Sequence, residues 1–186
     1  GSPIATGVGT TVGLIFTSSV IDTAQEFGSE TALSADSKWL AIAAPSASNV
    51  NSSGYANQGY VSLYYKEAGN RYTFVDYIIS QDAGADELFG SKLAFAKLGN
   101  AYILAVSAAD TVYFYQTTGT SSWTDYVDPI SIPNVESISI SATGIEREDE
   151  FLVTITESIT FSSSTSAPST SLSAMAAKMP MTSSKV

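Results

Sequence analysis

The chain has 186 residues, 44% hydrophobic and only 14% charged, with 8 Lys+Arg against 18 Asp+Glu and a formal net charge of −10. That length supports a folded core, and the acidic balance repels phosphate backbones, so nucleic acid is not an expected partner. The absence of Cys and His excludes disulfides, thiolate chemistry, a Ser-His-Asp triad and any Cys- or His-ligated metal.

Residues 1–26 read as an N-terminal strand and partial repeat. They open Gly1-Ser2 without Met, which fits either a cloning scar or a processed N-terminus. The apolar run at 7–16 is too short and too rich in Gly and Thr for a bilayer span, which needs about 20 residues. No basic segment precedes it as in a signal peptide, so no membrane span is expected. From residue 10 to 161 the pattern is of short β-branched and aromatic segments, many alternating at period two, separated by turn residues. Predicted strands are 10–16, 31–35, 39–44, 59–66, 72–79, 92–96, 102–107, 111–116, 123–127, 137–142, 150–156 and 158–161. No window supports a long amphipathic helix. The predicted fold class is all-β and antiparallel.

The tripeptide Phe27-Gly28-Ser29 recurs as Phe89-Gly90-Ser91, and the strand order that follows recurs with it. Each copy predicts four strands, giving a first unit at 27–88 and a second at 89–133. A divergent β unit follows at 134–161, without the tripeptide. Four-stranded units repeating at about sixty residues suit a propeller blade or a related β-repeat. The recurring Phe is expected to wedge between sheets, with the following Gly giving clearance.

The stretches QDAGADELFGSKLAF and IDTAQEFGSETALSADSKWLAIAAP, closing on GYVSLYY, resemble FG-GAP repeats, the blades of integrin-alpha-like β-propellers. By position, Phe27-Gly28 and Phe89-Gly90 stand at the FG, and Ala43-Ala44-Pro45 at the GAP. Gly59-Tyr60-Val61 stands where the aromatic strand opens. The second unit departs, with Val106-Ser107-Ala108 at the GAP. The resemblance implies antiparallel four-stranded blades, incomplete or completed by neighbouring chains, because propellers typically close with four to eight. Many such repeats carry a calcium loop between their first two strands. Here those turns, Ala35-Asp36-Ser37-Lys38 and Lys97-Leu98-Gly99-Asn100, are too short and too poor in carboxylates to supply 6–8 oxygens. No cofactor or metal is therefore expected, and the acidic run Glu146, Glu148, Asp149 and Glu150 reads as a solvated turn.

Three further features bear on function. Asn51-Ser52-Ser53 is an N-glycosylation sequon within the small, polar connector 45–60. The acidic residues before each FGS, Asp22/Glu26 and Asp82/Asp86/Glu87, could suggest a carboxylate-pair glycosidase. Their recurrence with each unit favours turns and caps instead. The aromatic residues of the strands fit core and cross-strand packing. Residues 162–186 form a Ser/Thr-rich C-terminal arm, in which Leu172, Met175, Met179 and Met181 are candidate anchors for docking on a neighbouring subunit. The expectation is a non-enzymatic extracellular or virion-surface structural protein that self-assembles with identical copies into a homo-oligomer or filament. The alternative is an adhesin or a β-propeller module that binds surface glycans or proteins.

Overall fold

The computed structural model describes residues 4–6, 13–15, 26–82, 84–142, 150–157 and 175–180. Among these residues the chain is all-β, with one 3-10 turn at Val50–Ser52 and no α-helix. Among the described residues no helix is long and apolar enough to cross a membrane. A two-stranded antiparallel ribbon pairs β1 (Ile4–Thr6) with β2 (Gly13–Ile15).

Sheet one is a meander of β3 (Thr31–Leu33), β4 (Trp39–Ala44), β5 (Tyr60–Lys66) and β6 (Tyr72–Ile78), each paired antiparallel with the next. Sheet two repeats the plan with β7 (Leu93–Leu98), β8 (Ala101–Ala108), β9 (Thr111–Thr117) and β10 (Thr124–Ser131). The inner strands β4 and β8 are apolar on both faces because both faces are covered, whereas the edge strands β6 and β10 are partly exposed. The predicted strands of the two units form, with ends shifted by at most four residues. The predicted strand at 158–161 lies outside the described residues.

Backbone hydrogen bonds fix the equivalence of the two units. Gly28 N–H donates to Ala43 C=O at 2.8 Å, and Gly90 N–H to Ser107 C=O at 2.9 Å. Ala43 N–H then donates to Glu30 C=O, as Ser107 N–H does to Lys92 C=O. Ala43 therefore corresponds to Ser107, and the counterpart of Ala43-Ala44-Pro45 is Ser107-Ala108-Ala109, one residue later than the sequence alignment placed it. The shift arises in the first hairpin: the β3–β4 turn spans 34–38, while β7 and β8 run on to a two-residue turn at Gly99-Asn100.

The sheets stack face to face. From sheet one, Trp39, Ala41, Ala43, Val61 and Leu63 meet Leu104, Val106, Ala108, Tyr113 and Tyr115 of sheet two. The far face of sheet two, with Ala105, Val112 and Phe114, is covered by Val135, Ile138 and Ile140 of β11 (Val135–Ala142). The opposite face of sheet one is buried as well, at Ile42, Tyr60, Ser62 and Tyr64. Each sheet thus turns a different face to each neighbour: Ala41 faces sheet two, and its counterpart Ala105 faces β11.

A third sheet orders β11, β12 (Glu150–Glu157) and β13 (Met175–Pro180). β13 comes from the C-terminal arm, expected either to dock on a neighbouring subunit or to fold back over its own sheet. Its Met175 and Met179 pair in register with Ile155 and Phe151 of the same chain. Leu172 and Met181 fall outside the described residues.

Candidate functional site

Two features sit on the seam between sheets one and two: an apolar wedge at one end and a polar clamp beside a cleft at the other. The wedge is Phe89, fully buried between the sheets, with its ring 5.9 Å from that of Tyr113 and 6.0 Å from that of Tyr115. Its backbone forms a parallel bridge with Gly59, the residue that opens β5. A Cβ at Gly59 would run into the backbone N and O of Phe89, and 2.9 Å from Pro45 O. A Cβ at Gly90 would lie 2.8 Å from Ala43 Cβ, which explains why both positions are small. Ala43, Ala44 and Pro45 are all buried.

The first FGS behaves differently. Phe27 is only half-buried, against Ala44, Ala47, Val50 and Tyr60. Gly28 is exposed, and nothing lies within 4 Å of where its Cβ would be. Clearance therefore holds for Gly90 and not for Gly28, whose φ of +91° is what calls for glycine.

The polar clamp is centred on Asp36, in the β3–β4 turn. Lys97 Nζ and Tyr102 Oη, both from sheet two, each donate to Asp36 Oδ2 at 2.7 Å. Ser34 Oγ and Lys38 N–H donate to Oδ1 at 2.9 and 3.1 Å. Partial burial works to raise the Asp36 pKa, but the hydrogen bonds from Lys97, Tyr102, Ser34 and the Lys38 amide outweigh it and hold the carboxyl well below the usual range. The Asp36 bond also raises the Lys97 pKa. Burial first, and then the Asp36 bond, raises that of Tyr102. Read from sequence, Asp36 was a turn residue. Its second role was detectable once the repeat was aligned, because the first hairpins of adjacent units lie side by side, here with Asp36 in the turn of one and Lys97 near the end of β7 in the other.

Beneath the clamp lies an aromatic cluster. Trp39 meets Tyr65, Tyr102 and Trp123 edge-on, at 5.1, 6.5 and 5.0 Å between ring centroids. A cleft of about 530 Å³ opens beside it, lined by Tyr65, Lys97, Asn100, Tyr102, Thr118 and Thr120. A separate, smaller recess of about 270 Å³ shares Thr118 as a lining residue and is bounded by Ser122 and Thr124. The Tyr65, Thr118 and Thr120 hydroxyls and the Asn100 amide make no hydrogen bond to another described residue.

Of the acidic residues before each FGS, Glu26 and Asp86 make turn contacts. Glu26 accepts from Ser46 Oγ at 2.6 Å, and Asp86 from Asn57 Nδ2 at 2.8 Å. Burial, and then the neighbouring Asp82, raises the Glu87 pKa. Among the described residues no cluster of acidic side chains could hold a metal ion. Asp22, Glu146, Glu148 and Asp149 lie outside those residues. Asn51 occupies the 3-10 turn of the connector, and Ser53, the third residue of its sequon, donates to Gln58 Oε1 at 2.6 Å. Compared with known protein families, curated proteins and solved structures, the chain matches none.

Proposed function

We propose that this chain is a non-enzymatic recognition module of an extracellular, cell or virion surface, a stack of FG-GAP-like sheets whose work is binding rather than turnover. The observation that carries this reading is the cleft at the seam. It joins an aromatic wall to hydroxyl and amide groups that have no partner among the described residues. Tyr65 and Tyr102 come from β5 and β8, and Asn100, Thr118 and Thr120 from the turns that follow β7 and β9. A chain without His or Cys has no ordinary neutral-pH base or thiol nucleophile. Its carboxylates at the unit boundaries are held in turns, which suits a scaffold. The test is to probe glycan and protein arrays with the full chain and with Asn100→Ala. Partners that bind both proteins equally would overturn the reading.

A second reading, self-assembly with identical copies into a homo-oligomer or filament, draws on β6, which among the described residues is an edge strand paired with β5. Unpaired strand edges add strands readily. Large hydrophobic side chains are exposed only at Leu33, Tyr55 and Leu88 among the described residues, so the edge would carry such assembly more than an apolar face. Light scattering on the native protein decides it. A monomer at all concentrations removes assembly, and a ring or filament supports it.

A further inference from the structure

We infer that the seam cleft binds a neutral saccharide, a conclusion that rests on the recognition reading and narrows it to one ligand class. The charge on the walls is already cancelled: Lys97, the one cation among the described residues that line the cleft, is paired with Asp36 at 2.7 Å and lies over the Tyr102 ring at 5.3 Å. A phosphate or a sulfated sugar would have to displace that pairing and approach a chain of net charge −10. A cation fares no better, because both Asp36 oxygens already accept hydrogen bonds.

What remains available is uncharged. The Tyr65, Thr118 and Thr120 hydroxyls and the Asn100 amide each both donate and accept, which is the bonding character of sugar hydroxyls. The Tyr65 ring is half-buried, steadied edge-on by Trp39, and offers an apolar surface beside them. A cleft of about 530 Å³, with a recess of about 270 Å³ on the other side of Thr118, has the room for more than one sugar ring. Open, solvated sites of this kind bind weakly, with a dissociation constant on the order of 1 mM.

The experiment is a chemical-shift titration of the full chain with maltotriose, mannotriose and lactose, with a sulfated heparin disaccharide and a tyrosine-free peptide library as comparison ligands. The expected result is that at least one neutral sugar shifts the Tyr65, Asn100 and Thr118 signals. Asn100→Ala and Thr118→Val, both on exposed turns, should each weaken that binding about five-fold. If only the heparin disaccharide or peptides move these signals, the saccharide class is wrong and the recognition reading stands. If no ligand moves them, both fail. Sugar binding that both variants leave unchanged would place the site elsewhere and also overturn the inference.

Discussion

Sheets one and two share strand order, the Gly N–H bond into the β4 or β8 backbone, and the bond that follows it. They differ in their wedges and in their first hairpins. Phe89 is sealed between two sheets, while Phe27 is half-buried on the opposite face of sheet one. The β3–β4 turn is held by Ser34, Asp36 and Lys38, whereas the β7–β8 turn closes on Gly99-Asn100 with no such network. The backbone frame is therefore what the repeat preserves, and the hairpin turns are where each unit adapts to its neighbour. The polar clamp arises from the mismatch, since it needs a carboxylate from one turn and a cation from beside the other.

That contrast can be broken at its strongest point first. Phe89→Ala is expected to cost about 3–5 kcal/mol, the range for emptying a buried aromatic site, and Phe27→Ala clearly less, as read from urea midpoints. Equal losses would show that the two copies are energetically alike. Gly59→Ala should cost about 3 kcal/mol, because its Cβ meets backbone that cannot move aside. Gly28→Ala should cost only about 1 kcal/mol, the penalty of its positive φ in open space.

The clamp supplies a smaller, pH-dependent effect. The Asp36 pKa is lower folded than unfolded, so its contribution is fully present above the unfolded value near pH 4 and is lost as pH falls through the folded one. The Lys97 pKa is raised, so its share is present below the unfolded value of about 10.4 and fades as pH climbs past the folded one. Asp36→Asn should lower stability by about 1–2 kcal/mol at pH 7. It should also flatten the fall in stability below pH 4, so an unchanged acid slope in the variant would remove Asp36 as its source. As small as the Gly28→Ala effect is that expected of Tyr115→Phe. It deletes the 3.1 Å bond from the hydroxyl to Ile79 C=O across the seam, at about 1 kcal/mol.

Much of this architecture was legible in the sequence, for a physical reason. Strands with both faces buried, such as WLAIAA at 39–44, cannot hide their composition; Gly59 stands where two backbones nearly touch, and Gly90 where a Cβ would meet the Ala43 side chain. The β13 strand was not legible, because Ala, Lys, Met and Pro have little β preference and it forms by adding to β12. The cleft was equally hidden. Its residues are drawn from three separate places along the chain, and only the stacking of two sheets brings Tyr65 within reach of Asn100 and Thr118. The one-residue error at Val106-Ser107-Ala108 came from counting along the chain, where the hairpin lengths differ, instead of across hydrogen bonds.

The unequal faces of each sheet have a further consequence. Because the surface a unit presents forward differs from the one it presents backward, the array has a direction and each junction is heterologous. Such a joint has no built-in stopping rule, since the rule for adding the third unit is the rule for adding the second. An in-frame duplication of one unit would thus inherit a ready-made docking surface on each side, and the length of the array becomes a quantity that gene duplication can adjust without inventing a new interface.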